Sequence, residues 1–221
     1  MKKILIIHAH PENQSFCSSL RTTANEHFSK MGYSVKESDL YAMRFDPIGD
    51  KNDFKELNDS KFFKYQMEQA NAFNKELFTD TLKEEMDKLA WCDILIFNFP
   101  LWWFGLPAIL KGWVDRVFAM GFVYGSGKGI YENGIFKDKT AFITMTTGGP
   151  EIAYNGGKNG DLDTILFPIH HGMFYFTGMT VLPPFVCFGP ARKTKEELEN
   201  EIGRYKDYLN KLDTFTPLYK A

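Results

Sequence analysis

Five short apolar segments recur along the chain and predict five strands. The first spans residues 2–10 and reads KKILIIHAH, and its unbroken run of Ile and Leu is typical of a strand buried on both faces of a parallel sheet. The other four cover residues 33–40, 92–99, 140–147 and 179–188. Helical patterns fill the intervals, at residues 16–31, 80–90, 106–118, 161–176 and 194–212. Strands that alternate with helices predict an α/β fold, with a doubly wound parallel sheet and helices on both of its faces.

Two segments interrupt this alternation. Residues 44–79 are polar, carry scattered aromatic side chains and are longer than an ordinary connection, so we expect either a lid or an excursion that contacts a partner. Residues 120–138 contain five glycines and predict a second long loop. Because no repeat or low-complexity linker divides the chain, we expect residues 1–221 to form a single domain.

The composition narrows the classes of partner. Lys and Arg total 26 against 28 Asp and Glu, a net charge of −2, which provides neither a basic surface for nucleic acid nor the strongly acidic surface of an electron carrier. Aromatic residues make up 16%, which is high, and we expect some of them to contact a ligand. The three cysteines are spaced neither as a disulfide framework nor as metal ligands, and the first apolar segment is too short for a signal peptide. We therefore expect a cytoplasmic protein with no metal site and no membrane span.

In an open parallel sheet, ligands bind at the carboxyl ends of the strands. The first loop at that end, residues 8–16, lacks the G-x-G-x-x-G fingerprint of dinucleotide-binding domains. Asn13 or Ser15 can cap the helix that begins near Phe16, and free N–H groups at a helix start favour an anion. The hydroxyls of Ser15 and Ser18 and the His10 imidazole are therefore candidate ligands of a pyrophosphate. An ordinary helix cap with a solvent-facing histidine is the alternative.

Aromatic side chains dominate the second loop, which reads PLWWFG from residue 100. Turns normally carry Gly, Pro, Asn, Asp or Ser, so the bulky rings of Trp102, Trp103 and Phe104 need something to cover them. The third loop, residues 146–149, places two hydroxyls and two glycines where backbone N–H groups can approach a ligand closely. An aromatic wall, a polar edge and an anion site fit a flavin nucleotide better than a nicotinamide dinucleotide. Core filling or a subunit contact is the alternative role of the three rings.

Longer motifs give the chain a family resemblance. They are AHPENQSF (residues 9–16), ESDLYAMRFDPI (37–48), FPLWWFGLPAILKGWVDRVF (99–118), TTGG (146–149) and TPLY (216–219). In this order and spacing they resemble the NAD(P)H:quinone oxidoreductases of the DT-diaphorase type, within the flavodoxin-like superfamily. The resemblance implies a five-stranded sheet of order 2-1-3-4-5, and a homodimer that holds FAD in active sites at its interface.

The resemblance also assigns candidate site residues. The pyrophosphate and adenosine side of FAD would contact His10, Ser15 and Phe16. Ser18, from its place in the first helical turn, and Arg192, within reach of the adenine side, are further candidates to bind the cofactor. The flavin ring would be lined by Pro100, Leu101, Trp102, Trp103 and Phe104, and hydrogen-bonded at its edge by Thr146, Thr147, Gly148 and Gly149. Tyr154 matches a tyrosine that assists hydride transfer, so the candidate catalytic groups are Tyr154, Gly148, Gly149 and Asn159. The substrate pocket would include Tyr124, Ser126 and Phe176.

The sequence departs from the family pattern in the 44–79 segment, where a Gln-Tyr pair reads Lys64-Tyr65, and at two further positions. Asn159 stands where the members with the strongest two-electron quinone activity place a histidine, and an amide cannot hold a proton near neutral pH as an imidazole does. Ser126 replaces a second pocket tyrosine. These changes concern the range of acceptors rather than flavin binding.

The activity that the resemblance implies is a ping-pong reaction. NAD(P)H delivers a hydride to the flavin and leaves before a quinone, azo or nitroaromatic acceptor takes the hydride. The sequence leaves open FMN in place of FAD, and NADH against NADPH. The alternative from another class is a flavin-binding regulatory subunit of a membrane transport system, with residues 44–79 as its docking surface. A one-electron carrier is the third alternative, which the small net charge disfavours.

Overall fold

A parallel sheet forms the centre of the molecule in the computed structural model, which describes residues 1–125 and 127–220. In chain order, the strands are β1 (Lys3–His8), β2 (Ser34–Asp39), β3 (Ile94–Pro100), β4 (Thr140–Thr147), β5 (Asn155–Gly157), β6 (Gly160–Asp161), β7 (Thr180–Val181) and β8 (Phe185–Phe188). The sheet has the order β2-β1-β3-β4, and β7 and β8 both pair with β4 in parallel. β5 and β6 form a separate antiparallel hairpin. The predicted order 2-1-3-4-5 is confirmed, with a fifth strand in two pieces.

Two prolines divide that fifth strand. β7 ends at Val181, and Pro183 and Pro184 follow before β8 begins. Proline has no N–H to donate to a neighbouring strand, so the ladder along β4 is interrupted there. The Leu182 N–H still donates to the Ala141 carbonyl at 3.0 Å, which keeps the chain beside β4. The continuous strand predicted over residues 179–188 is therefore two short strands.

The last part of the chain covers the outer side of β7. The Val181 N–H donates to the Tyr219 carbonyl at 2.8 Å, and the Leu218 N–H donates to the Val181 carbonyl at 2.8 Å. This contact is a short antiparallel bridge. The TPLY motif therefore lies against the edge of the sheet.

Helices cover both faces of the sheet, as predicted. They are α1 (Phe16–Lys30), α2 (Tyr65–Lys75), α3 (Asp80–Trp91), α4 (Ala108–Val117), α5 (Leu162–Ile169) and α6 (Lys195–Asn210). Ile4 and Ile6 of β1 belong to the core under α1 and α6, and Leu5 and Ile7 belong to the core under α3, α4 and α5. This division follows because successive side chains of a strand point to opposite faces. Among the described residues, no helix combines the length and apolar character needed to cross a membrane.

The segment predicted as one helix over residues 161–176 changes its winding part-way. α5 ends at Ile169, and a wider helical turn over His170–Phe174 and a tight turn over Tyr175–Thr177 follow. Pro168 lies just before this change and has no N–H for a regular helical hydrogen bond. The segment still packs on the sheet through Leu166 and Ile169.

Residues 44–79, expected as a lid or an excursion, are held against α4 by buried contacts. Gly112 allows a close crossing, because a Cβ there would collide with the backbone of Pro47. The Arg116 guanidinium binds the Asp53 carboxylate at 2.6 Å, and both side chains are buried. The Tyr65 hydroxyl donates to the same carboxylate, and burial together with that carboxylate raises the pKa of Tyr65. Tyr65 is the first residue of α2, so the Asp53 carboxylate, which Arg116 of α4 holds in place, fixes the start of that helix.

The three cysteines, Cys17, Cys92 and Cys187, are buried and form no disulfide. Burial raises the pKa of the Cys17 and Cys187 thiols to about 12 and that of Cys92 to about 11. The thiolate is the reactive form of cysteine, so these side chains behave as small apolar groups.

Candidate functional site

The N-terminus of α1 lies at the carboxyl end of β1. Ser15 caps it, and the Ser15 Oγ accepts from the Ser18 N–H at 3.1 Å, which confirms the predicted cap. The N–H groups of Phe16 and Cys17 find no acceptor among the hydrogen bonds of the described residues, as helix geometry requires in a first turn. His10 closes the preceding turn, where its Nδ1 accepts from the Glu12 N–H at 3.0 Å. Two donors at the start of α1, next to the Ser15 cap, are therefore without a partner among the described residues.

A buried histidine that the sequence analysis did not single out lies behind this turn. His8 is the last residue of β1, and its Nδ1 lies 2.5 Å from Oδ1 of Asn98 while its Nε2 lies 3.1 Å from Oγ of Ser18. Burial lowers the pKa of His8 to about 4, so the imidazole is neutral at neutral pH. The sequence could have predicted its burial, because His8 alternates with Ile4 and Ile6 along β1 and its side chain therefore points to the same face of the sheet.

The aromatic turn of the second loop has an unusual backbone. Trp102 and Gly105 exchange two hydrogen bonds, of 3.3 and 3.0 Å, and the two residues between them, Trp103 and Phe104, have φ values of 49° and 59°. Two-residue turns of this kind favour Asn and Gly, because a left-handed backbone costs other residues about 1–2 kcal/mol each. The Trp103 side chain is nevertheless 97% exposed. A strained turn that presents uncovered rings is typical of a contact site for another molecule.

The base of this turn connects the first and third loops. The ring centroids of Trp102 and His10 lie 6.4 Å apart. Pro100 and Leu101 are buried, and the Leu101 N–H donates to the Thr146 carbonyl at 2.8 Å. Of the five residues predicted to line a flavin ring, the three aromatic ones are exposed, and the first two form the floor of the loop.

The third loop folds back on itself beside Tyr154. The Thr147 hydroxyl donates to the Gly149 carbonyl at 2.8 Å, and the Thr146 side chain is buried. A Cβ on Gly149 would lie 3.2 Å from the Tyr154 ring, whereas a Cβ on Gly148 would meet nothing within 4 Å. Glycine at 149 therefore permits the close approach of Tyr154, and the space at 148 is open to a ligand. The Tyr154 ring also packs on Phe188, with centroids 5.9 Å apart.

Two further candidates lie at the rim of this region. Asn159 stands in the turn of the β5–β6 hairpin, and its N–H donates to the Ala153 carbonyl at 3.1 Å. Arg192 ends a short turn, Pro190–Arg192, and its side chain is exposed. The Gly189 N–H donates to the Thr147 carbonyl at 2.9 Å, which brings that turn to the third loop.

A cleft of about 360 Å³ joins the first loop, β4 and the turn before α6. Its lining consists of His10, Ser15, Phe16, Cys17, Thr146, Pro190, Ala191 and Leu198. Residues predicted to bind the cofactor from the first and third loops are thus brought together at the free start of α1. Within the described ranges, no three His, Cys, Asp or Glu side chains converge as a metal site would require.

The predicted substrate residues Tyr124 and Phe176 lie together in a different cavity of about 530 Å³. Their rings meet edge to face with centroids 6.1 Å apart, and Gln66 Nε2 donates to the Tyr124 hydroxyl at 3.1 Å. The described lining of this cavity includes none of the residues predicted to bind flavin. Ser126, the third predicted substrate residue, lies outside the described residues.

Comparisons with known proteins show the family to which this fold belongs. A family model described as flavodoxin-like fold matches residues 2–209. The ribosyldihydronicotinamide dehydrogenase (quinone) of Rattus norvegicus is 39% identical over 220 residues, which cover 99% of this chain and 95% of the rat protein. The NAD(P)H dehydrogenase (quinone) 1 of Cavia porcellus is 39% identical over 223 residues, covering 100% of this chain and 81% of that protein. A quinone reductase structure from Klebsiella pneumoniae superposes with a TM-score of 0.95 at 37% identity, over 99% of this chain and 87% of that one.

These matches extend over nearly the whole chain, so they include all three strand-end loops. The chain belongs to the flavodoxin-like family, among the NAD(P)H:quinone oxidoreductases of the DT-diaphorase type. The resemblance inferred from the motifs is confirmed.

Proposed function

We propose that this protein is a flavin-dependent oxidoreductase that transfers a hydride from NAD(P)H to a quinone. One observation carries the proposal: an uncovered aromatic turn, a Thr-Gly loop and the free start of α1 meet at the carboxyl end of one sheet. Relatives that match along nearly the full length and are named as quinone dehydrogenases support the same reaction.

The residues at this end of the sheet fit a flavin nucleotide. The cleft beside α1 offers a phosphate group the N–H groups of Phe16 and Cys17. The open space at Gly148 admits the edge of a planar ring, and the exposed aromatic turn supplies apolar surface for its face. FAD is the nucleotide that the resemblance favours, and we expect its adenosine near Pro190, Ala191 and Arg192.

A bound flavin supplies two-electron redox chemistry that amino acid side chains lack. The protein supplies position and hydrogen bonds. The N–H groups of Gly148 and Gly149 and the Tyr154 hydroxyl are the proposed donors to the ring edge on which negative charge develops. With a flavin bound against them, the rings of Trp102 and Phe104 would exclude water from that region. The Asn159 amide can contribute a hydrogen bond, but unlike an imidazole it cannot take up or release a proton near neutral pH.

We propose that a second copy of the chain completes the active site. Tyr124 and Phe176 lie in a cavity apart from the flavin loops, and the Trp103 ring is almost wholly exposed. Ile48 and Phe62, on the 44–79 segment, are also exposed apolar side chains. A two-fold homodimer that covers these surfaces would bring the pocket of one protomer to the flavin loops of the other.

The electron donor is the open part of the proposal. The rat relative is named for a ribosylated dihydronicotinamide and the guinea pig relative for NAD(P)H. We propose NAD(P)H as donor, in the cytoplasm, and the riboside as the comparison substrate. Relative values of kcat/KM for NADH, NADPH and dihydronicotinamide riboside decide between them.

Purified protein provides the test of the proposed function. We expect a yellow protein whose released cofactor is identified as FAD by chromatography, and which consumes NAD(P)H steadily with menadione as acceptor. Flavin binding with negligible turnover would instead support a regulatory subunit. A colourless protein that takes up neither FAD nor FMN would contradict the proposal.

A further inference from the structure

The sheet holds the backbone of His8 on both sides. Its carbonyl accepts from the Leu40 N–H at 3.0 Å, and the next residue, Ala9, donates its N–H to the Asn98 carbonyl at 3.0 Å. In register, His8 lies between Asp39 of β2 and Asn98 of β3. The imidazole therefore starts from a rigid backbone and reaches toward α1.

The partners of Asn98 decide which nitrogen of His8 carries the hydrogen. The Asn98 amide nitrogen faces the Thr144 carbonyl at 3.5 Å, and the Cys17 thiol donates to Asn98 Oδ1 at 3.7 Å. Oδ1 is therefore the atom turned toward His8, and it accepts from the Nδ1–H at 2.5 Å. In the neutral ring, Nε2 is then an acceptor, and it faces the Ser18 hydroxyl at 3.1 Å.

Ser18 connects His8 to the rest of the first loop. The Ser18 hydroxyl has a single hydrogen, for which His8 Nε2 and the Glu12 carbonyl at 2.8 Å compete, and its Oγ lies 2.9 Å from the Ser15 Oγ. Its N–H donates to the Ser15 Oγ, which is the helix cap. One hydroxyl thus contacts the turn at Glu12, the cap of α1 and the buried imidazole.

We propose that His8 is a positioning residue for the cofactor-binding loop: through Ser18 it fixes the Ser15 cap and the Glu12 turn relative to the ends of β1 and β3. The inference rests on the proposed flavin function. His8 is fully buried, so its effect on a ligand passes through the direction in which the N–H groups of Phe16 and Cys17 point. Hydrogen bonds between buried groups restrict the positions of the groups they join.

Charged and titratable groups face His8 from the neighbouring elements. Arg21 of α1 and Asp39 of β2 form a half-buried pair at 2.7 Å, and His10 follows in the loop. Burial outweighs the charges around the ring and keeps its pKa low. The acceptor at Nε2 is therefore present throughout the neutral pH range.

Two substitutions at His8 distinguish the effect of losing its hydrogen bonds from the effect of changing its side-chain volume. His8→Leu removes both hydrogen bonds at similar volume, whereas His8→Gln keeps an oxygen acceptor toward Ser18. In titrations of the protein with FAD, we expect the dissociation constant to rise about tenfold for His8→Leu and to stay within about threefold for His8→Gln. Ile6→Val, on the same face of β1, is the matched control for a disturbed core and leaves the affinity unchanged.

The Ser18→Ala variant tests whether His8 affects FAD binding through its contact with Ser18. If His8 acts through Ser18, the double variant His8→Leu/Ser18→Ala binds FAD no more weakly than the weaker single variant. Ring ¹⁵N chemical shifts of wild-type protein provide a spectroscopic test that needs no variant to fold: we expect Nδ1 protonated and Nε2 unprotonated at neutral pH.

The possible results test two separate claims, the role of His8 and the proposed flavin function. Equal FAD affinity in wild type and His8→Leu, or equal losses in His8→Leu and His8→Gln, would overturn the role of His8 while leaving the proposed function intact. A wild-type protein that binds no flavin would overturn the proposed function, and this inference with it.

Discussion

Tyr154 offers the most direct test of the chemistry at the residue scale. The substitution Tyr154→Phe removes the hydroxyl and keeps the ring that packs beside Gly149. Losing one preorganised donor predicts a fall in the rate of flavin reduction by about 10-fold to 100-fold. Rapid mixing with NAD(P)H measures that rate. Phe188→Leu disturbs the packing of the same ring without removing a donor, so we expect a much smaller change, and an unchanged rate in Tyr154→Phe would remove the hydroxyl from the mechanism.

Two buried histidines predict that the fold loses stability in acid. Burial lowers the pKa of His8 and of His170 to about 4, whereas a histidine in the unfolded chain titrates near about 6.5. The unfolded chain takes up these protons first as the pH falls. This stability is therefore fully present above about pH 6.5 and declines toward about pH 4, by on the order of 3 kcal/mol per histidine at the acid limit.

His170 provides the variant that isolates this effect. Its Nε2 is buried and has no hydrogen-bond partner in the described part of the chain, so His170→Met breaks no bond at that atom. Denaturant unfolding at several pH values gives the free energy of unfolding of each protein. We expect the value for His170→Met to fall less than the wild-type value between pH 7 and pH 5, and parallel curves would contradict the assignment.

At the scale of elements, the aromatic turn carries backbone strain at Trp103 and Phe104 that two substitutions can relieve. Replacing Trp103 by Asn and Phe104 by Gly supplies the residues that a left-handed two-residue turn favours. We expect the melting temperature to rise by about 2–4 °C for each kcal/mol of relieved strain, while FAD affinity falls. Alanine at both positions removes the rings but keeps the strain, so it should lower the affinity without raising the melting temperature. Retained affinity in both variants would show that the rings do not contact the flavin.

At the scale of elements, the sequence predicted what depends on local pattern. Most of the buried apolar runs, most of the periodic helices and the Ser15 cap are present near the predicted bounds, whereas the helix predicted over 161–176 and the strand predicted over 179–188 are each divided at prolines. α2 was not predicted, because residues 44–79 are polar and their order depends on the contact of Asp53 with Arg116, 63 residues away. The positive φ values of Trp103 and Phe104 were also inaccessible, since they contradict local preference. His8 was missed because its partners, Asn98 and Ser18, meet it only in the folded sheet.

At the scale of the whole molecule, the proposed homodimer predicts that each active site contains residues of two chains. If Tyr154 of one protomer serves the same site as Tyr124 of the other, two defective variants can complement each other. Mixing Tyr154→Phe with Tyr124→Ala after reversible dissociation would produce heterodimers with one intact and one doubly defective site. Random mixing should then restore about one quarter of the wild-type rate.

One result of this mixing experiment would contradict the shared active site. If both tyrosines belong to one protomer's site, every site in the mixture carries a substitution, and the activity stays at the mean of the two variants. Sedimentation of the wild-type protein as a monomer at working concentration would likewise contradict the proposed shared site.

The covered edge of β7 affects how this protein behaves when it is crowded. An open outermost strand offers a row of free N–H and C=O groups on which another chain can add as a new strand, the first step toward fibrils. Here Leu218 and Tyr219 lie along β7, Pro183 and Pro184 interrupt the line to β8, and the opposite edge at β2 carries Lys36 and Glu37. Both borders of the sheet thus discourage chain-to-chain aggregation, and loss of the TPLY segment would leave one of them unprotected.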